Sequence, residues 1–563
     1  MIKKILKKFR NIDNNYIYIF LIALILVMPL ISKKYLYGHD VLYHISNIET
    51  IKNDLLNFNF SPISSFIANN FGYGGAIFYP KLPHVFSAII SIPLSIVGMS
   101  GIYAMKISQI IVVFLSAIFM YRLLLSMLKD KNIALLGSIF YITMPYFMTN
   151  IYVRSSFNET FVFLFIPIIF QGLVYLFKNE YNKFYLYFIL GYLGMMNSHL
   201  VLSVYFTILI GIILLVNIKT TLKKEYLTKL LKASLLILIF QLPIVIQMIE
   251  HKTLGIYAVF NPKIMWSNAT YVLSKTLNIK DFIIPIINPN SNIYTFINIL
   301  LIIFSILGII NIFKEKDKKI IKVIEGVLLF TIISIWLCTK YFPYNYLPSI
   351  LLSIQFAFRN LSFAGFGLSI LGAYGLSSFS NNIKSGITKF VIITSCLIVI
   401  PFINNTEFIP VNSMGYDTYA GMGFQKEYLT MNAHKNIEYF KTRDDSIKIL
   451  SDDEEVEINV LENNTPKLKF EVKDINDTVT LELPRLYYLG YDITLTTEKE
   501  KIKLDYTNDK YGFIKIKVPE NGTVNVKYTG TTLYKITLII SILTIVTLII
   551  LSIKKVKNKN TKW

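Results

Sequence analysis

"YIYIFLIALILVMPLI", residues 16–31, sets the reading of the whole chain. It carries no charge and stops at Ser32-Lys33-Lys34. An uncharged run approaching the roughly 20 residues that cross a bilayer reads as a membrane helix, because backbone groups in lipid must be satisfied within their own segment. "YKITLIISILTIVTLIILSI" (534–553) repeats the pattern near the other end. Composition agrees: the 563 residues are 54% hydrophobic and 16% charged, where a soluble domain has about 25% charged residues. Mean hydropathy is +0.52. No small-residue cleavage site follows the first run, so it reads as a retained helix rather than a signal peptide. Cys338 and Cys396 both lie in apolar runs and imply no disulfide framework.

The net charge of +21 invites a nucleic-acid reading, but its distribution argues against one. Lys and Arg cluster in "KKILKKFR" (3–10), "KDK" (129–131), "NIKTTLKKEYLTKLLK" (217–232), "KEKDKK" (314–319) and "KKVKNKNTK" (554–562). Short basic loops between apolar runs mark the cytoplasmic side, so the expected partner is the lipid bilayer and not nucleic acid. Alternating these loops predicts a polytopic α-helical membrane protein with about twelve transmembrane helices and both termini inside. The expected spans are 16–32, 103–126, 133–149, 158–177, 182–197, 199–216, 232–249, 293–313, 320–339, 361–379, 387–403 and a last helix from 533. The run 84–98 is short and contains Pro93, so it reads as a juxtamembrane segment.

Residues 404–532 differ. "KLKFEVK", "TVTLELP", "FIKIKVP" and "TVNVKY" alternate with period two between "NN", "ND" and "NG" turns, the pattern of an antiparallel β-rich domain. The expected layout is a transmembrane domain over 1–403 with an outer juxtamembrane loop 33–102. The β-rich domain follows over 404–532, extracytoplasmic by parity. A C-terminal helix with a basic cytoplasmic tail occupies 533–563.

The loop after the first run, "YLYGHDVLYHISNIET" (35–50), gathers His39, Asp40 and His44 in an otherwise charge-poor neighbourhood. A carboxylate at a membrane edge, partly desolvated, suits a general base or a metal ligand; the competing reading is ordinary loop solvation. His39 and His44 lack a third nearby partner for a zinc set. "NIYVRSSFNET" (150–160) offers Arg154 and Glu159, either as phosphate ligand and second acid or as a plain helix start. Lys81, His84, Lys106, His199 and Arg359 are the other candidate substrate contacts, since guanidinium forks match phosphate geometry. The Gly-aromatic loop "NFGYGGAIFYPKLPHVF" (70–86) lacks a phosphate-loop pattern, and Tyr73, Phe78 and Tyr79 read as interface anchors or a sugar-stacking surface.

"GHDVLYHISNIE", "FYPKLP", "YVRSSFNE", "QFAFRNLSF", "GFQKEYL" and "LPRLYYLGYDITL" occur in this order along nearly the whole chain. In this the chain resembles the YfhO-like bacterial membrane proteins and the related group labelled pyruvoyl-tetrahydropterin-synthase-related, within the GT-C fold glycosyltransferases. The pterin label implies no pterin chemistry, because the zinc-binding His set is absent. The resemblance implies transfer of a sugar from a polyprenyl-phosphate donor to a cell-envelope glycan or polymer acceptor on the outer face. It puts Asp40 at the position of the first-loop catalytic acid, acting as general base or holding a divalent cation (Mg or Mn), and Glu159 at a second acidic position. The rival readings are a lipid-linked sugar transporter or flippase, and a non-catalytic envelope scaffold. Few charges lie mid-span and no inverted repeat stands out, which favours a surface enzyme over a transporter.

Overall fold

A computed structural model describes residues 13–32, 34–36, 38–99, 101–285, 287–288, 293–404, 408–410, 420–423, 426–451 and 456–560. The basic stretch 3–10, on which the cytoplasmic placement of the N-terminus rests, lies outside the described residues. The chain divides into two compact units. One comprises Met1–Ile45, Lys81–Ala233 and Trp266–Gly415, the other Ser46–Pro80, Ser234–Met265 and Tyr416–Trp563.

The longer helices, in order, are α1 (Asn15–Val27), α2 (Val41–Leu56), α3 (Leu82–Ile96), α4 (Gly101–Leu128), α5 (Lys131–Ile142), α6 (Pro145–Tyr152) and α7 (Phe157–Phe177). They continue as α8 (Tyr181–Met196), α9 (Leu200–Val216), α10 (Lys224–Thr253), α11 (Ile299–Ile312), α12 (Lys318–Leu337), α13 (Leu361–Tyr374), α14 (Asn381–Cys396) and α15 (Thr532–Asn560).

The expectation of about twelve spans is corrected here. Among the described residues, 6 helices are long and apolar enough to cross a membrane, or up to 7 if one bent pair counts as a single span. They are α4, α7, α10, α12, the run Asn381–Phe402 that α14 begins, and the first part of α15. The bent pair is α5 and α6, which meet at 42°. Three physical reasons account for the difference. The first apolar run breaks: α1 stops at Val27 and continues only as a 3-10 turn over Met28–Ile31, with Pro29 at its start. Several other runs make short helices; at about 1.5 Å rise per residue a 14-residue helix covers roughly 21 Å of a core about 30 Å thick, and α11 and α13 each have 14 residues. Finally, every residue of α13 is buried, so its apolarity serves a protein core on all sides. α3 is also short, with Pro93 inside it. The multi-pass membrane topology stands.

The β-rich region contains β1 (Lys448–Ile449), β2 (Glu457–Asn464), β3 (Lys467–Lys473), β4 (Val479–Leu486), β5 (Tyr491–Thr496), β6 (Lys501–Lys503), β7 (Tyr506–Asn508), β8 (Phe513–Val518) and β9 (Gly522–Tyr528). They form a five-stranded sheet, β6-β5-β9-β3-β2, and a four-stranded sheet, β7-β8-β4-β1. The period-two pattern does what it implies: along β3 Leu468, Phe470 and Val472 are buried while Lys467, Lys469 and Lys473 are exposed. Val524 of β9 pairs with Phe470 on one side and Leu495 on the other. Both sheets share one core with Ile63, Phe71, Tyr73, Ile77 and Phe78 from far upstream. Tyr73 and Phe78 are therefore core residues of this unit rather than interface anchors. A Cβ on Gly74 would lie 2.7 Å from the Tyr488 ring, so only glycine permits that approach.

Candidate functional site

The turn between α6 and α7 builds the centre of the site. Arg154 lies in that turn, its backbone N–H bonded to Thr149 O at 2.9 Å. Glu159 lies in the first turn of α7, where unpaired amides at a helix start favour a carboxylate. The Arg154 guanidinium grips Glu159 in a fork: Nη1 lies 2.8 Å from Oε2 and Nη2 2.8 Å from Oε1. A second arginine arrives from another part of the chain, with Arg359 Nε at 2.7 Å from Oε1. The Tyr146 hydroxyl donates to Oε2 at 2.9 Å and accepts from Arg154 Nη1 at 3.0 Å. Glu159 is wholly buried at 0% exposure, and both of its oxygens are engaged.

A short turn, Ala357–Asn360, presents Arg359. Its Nη1 donates to Ile354 O at 2.7 Å and to Gln355 Oε1 at 3.1 Å. Nη2 donates no hydrogen bond within the described residues. The Phe356 ring lies under the Arg359 guanidinium at 4.7 Å, and Arg154 lies over Phe358 at 5.6 Å. Two cations thus share one buried carboxylate, which leaves one positive charge for Asp40 or for a bound anion.

Asp40 is brought to this centre by its backbone. His39 N donates to Val153 O at 3.3 Å and Asp40 N to Arg154 O at 3.0 Å. Asp40 is half-buried. Burial holds its carboxyl above the usual carboxylate range, while Arg154 and Arg359 pull it down and Glu159 pushes it up. His39 is exposed on the same turn. His199 caps α9, its Nδ1 accepting from Leu202 N at 3.3 Å, and its Nε2 faces Glu159 Oε1 at 4.0 Å. Burial, then the Arg359 charge, pushes the His199 imidazole down to about 3, so the ring is neutral at physiological pH.

The remaining expected contacts fall in two other places. His44 and His84 are buried against each other, with Nδ1 of His44 2.9 Å from Nε2 of His84. Phe157 N donates to His44 Nε2 at 3.3 Å. For neutral rings these bonds assign the His44 proton to Nδ1 and the His84 proton to Nδ1, where it is buried without an acceptor among the described residues. Burial, with Lys81 and Arg154 adding to it, pushes the His44 imidazole down to about 3. Lys81 Nζ bonds the Tyr43 hydroxyl at 3.1 Å. Lys106 is buried in α4 and donates to Ser32 O at 2.7 Å and to Lys34 O, so it ties down the chain after α1.

Asp40, Arg154, Glu159, His199 and Arg359 therefore form one constellation. His44, His84 and Lys81 form a neighbouring one, and Lys106 stands apart. Tyr146, Asn150 and Phe356 escaped the sequence reading. Tyr146, Asn150 and Arg154 are four apart, a helical-face spacing that pointed to them. The donor set around Asp40 does not fit Mg or Mn. No group of three His, Cys, Asp or Glu comes together among the described residues, and both oxygens of Glu159 already serve arginines.

No family model matches the chain. It is 22% identical over 610 aligned residues to an uncharacterized protein of Lactococcus lactis subsp. cremoris (strain MG1363), covering 97% of this chain and 96% of that one. Among solved structures it is similar to the archaeal oligosaccharyltransferase AglB from Archaeoglobus fulgidus, in complex with an inhibitory peptide and a dolichol-phosphate. That match is weak, with 10% identity and a TM-score of 0.35 over 69% of this chain. It spans 55% of the length of the oligosaccharyltransferase chain.

Proposed function

We propose that the chain is a membrane glycosyltransferase of the GT-C kind, moving a sugar from a polyprenyl-phosphate donor to a cell-envelope acceptor on the extracytoplasmic side. One observation carries the reading: a half-buried carboxyl, Asp40, is docked against a buried two-arginine centre in which Arg359 Nη2 donates no hydrogen bond within the described residues. In this scheme Arg359, supported by Arg154, receives the donor phosphate, and the prenyl chain lies in the bilayer. Asp40 takes the proton of an acceptor hydroxyl. The acceptor oxygen bonds to the anomeric carbon as the bond from that carbon to the phosphate oxygen breaks, with inversion. The departing electron pair goes to phosphate, where the guanidinium charge stabilises it. Glu159 serves as the anchor that orients both arginines, and His199 lies beside it.

The direct test compares envelope polymers and polyprenyl-phosphate sugars by mass spectrometry in cells with the gene, without it, and with Asp40→Asn. A transferase predicts a missing sugar and accumulated donor in both altered strains. Unchanged glycans and donor in the deletion strain sink the reading. A phenotype in the deletion that Asp40→Asn fully restores favours a scaffold.

A further inference from the structure

A row of aromatic rings leads away from Arg359. The Phe356 ring under its guanidinium lies 6.0 Å from the Tyr271 ring, and Tyr271 stacks on Trp266 at 5.2 Å with planes 22° apart. The row is held in place. The Asn268 side chain accepts from Tyr271 N at 2.9 Å, starting the short helix Ala269–Ser274 that carries Tyr271. Trp266 has a φ of 51°, a left-handed backbone that a bulky residue seldom adopts. Trp266, Tyr271 and Phe356 are each half-buried. The Tyr271 hydroxyl makes no hydrogen bond within the described residues. Lys275 lies over the outer part of the row, 5.8 Å from the Tyr271 ring.

Rings that merely anchor a protein at a bilayer surface place their polar edges at the headgroups. Here Trp266 and Tyr271 are stacked, Phe356 is tilted at 59° to Tyr271, and the row starts at an arginine whose Nη2 donates no hydrogen bond within the described residues. Partly exposed π faces accept polarised C–H groups, and the tyrosine at the rim supplies a hydrogen-bond donor. A hexose ring has both features, an apolar C–H face and hydroxyls around its edge. We infer that Trp266 and Tyr271 form the platform on which the sugar of the donor lies while its phosphate engages Arg359. The inference rests on the transferase reading and deepens it: it makes the donor a hexose-bearing lipid phosphate and names the residues that recognise the sugar rather than the phosphate.

The test uses the full chain in lipid nanodiscs, with polyprenyl phosphate and a panel of polyprenyl-phosphate hexoses (glucose, mannose, N-acetylglucosamine) as probes. Wild type binds at least one sugar-bearing lipid about tenfold more tightly than the bare phosphate, the scale of one good stacking contact. Trp266→Ala and Tyr271→Leu remove that increment and leave affinity for polyprenyl phosphate unchanged; Trp266→Phe keeps most of it. In a Trp336→Phe/Trp563→Phe background the sugar-bearing lipid alters Trp266 fluorescence and the bare phosphate does not. Equal binding of sugar-bearing and bare lipids by wild type overturns the platform. So does full retention of the increment in both Trp266→Ala and Tyr271→Leu. Binding of neither lipid class by wild type sinks the transferase reading itself, and the platform with it.

Discussion

Arg359 reaches Glu159 from 200 positions away in the sequence, its Nε 2.7 Å from Oε1. On the other side of the same carboxylate Arg154 arrives from only five positions away. One buried anion therefore fixes a local turn and a distant one at once. Removing one partner of a buried charge network leaves the other charges uncompensated, at a cost of about 3–5 kcal/mol. Glu159→Gln keeps the shape and removes the charge, so it lowers the melting temperature of the solubilised protein sharply. Arg154→Met and Arg359→Met do the same. Thermal unfolding in one detergent checks this; a Glu159→Gln protein that melts with wild type would show that the three groups are not bound as a unit.

Asp40 behaves in the opposite way. Its carboxyl sits above the usual carboxylate range, chiefly through burial. A carboxyl raised in the folded state contributes stability that is present below the unfolded value and lost as pH rises through the folded one. At neutral pH the charged form is therefore under strain. Asp40→Asn, which needs no charge, melts at or above the wild-type temperature at pH 7 while the proposed sugar transfer is lost. On the proposed function, transfer by wild type rises with pH as Asp40 deprotonates, and this acid limb lies higher than an exposed aspartate gives. A destabilised Asp40→Asn protein, or one that keeps the acid limb, rules out the proposed role.

His44 is a wedge between helices in this structure, bonded to His84 and to the amide that starts α7. Its folded value of about 3 against 6.5 for the free imidazole means that the unfolded chain binds the extra proton first. Stability thus falls as pH drops below 6.5 and continues to fall toward 3. Replacing His44 by Asn removes its share of that slope and lowers stability at neutral pH, where both bonds are lost. Melting curves at pH 5 and 7.5 separate the two effects. A direct substrate ligand would instead leave the melting curve flat and raise KM.

Several parts of this arrangement were legible beforehand. Apolar runs mark membrane helices, and the alternation of Leu468, Phe470 and Val472 marks a strand, because both patterns record local burial. The number of spans was not legible, since apolarity alone does not separate a helix facing lipid from one such as α13, buried on every side. The break at Met144-Pro145 between α5 and α6 is likewise a matter of a 42° bend rather than of hydropathy. The candidate residues themselves stood out as polar groups in an apolar chain. Their roles did not: whether Glu159 works alone or as the meeting point of two arginines depends on a contact 200 residues long in sequence. Lys106 shows the same limit, because nothing near it in sequence announces the Ser32 carbonyl that holds it.

Gly38 controls how closely Asp40 approaches the arginine turn. A Cβ built on Gly38 would lie 2.1 Å from Ser155 Oγ, 2.7 Å from Ser155 Cβ and 2.9 Å from Ser155 N. Only the bare backbone lets His39 N and Asp40 N reach the carbonyls of Val153 and Arg154. Gly38→Ala pushes this turn away, breaks one or both bonds, and costs the proposed sugar transfer far more than it costs overall folding, because the buried Glu159 network is untouched. Ser155 has a φ of 50°, a value glycine adopts without strain, so Ser155→Gly removes two of the three clashing atoms at little cost. The double variant Gly38→Ala/Ser155→Gly therefore recovers part of the activity that the single variant loses. Transfer assays on the three proteins, alongside their melting temperatures, decide the matter: equal activity in the single and double variants means that contact with Ser155 is not what places Asp40.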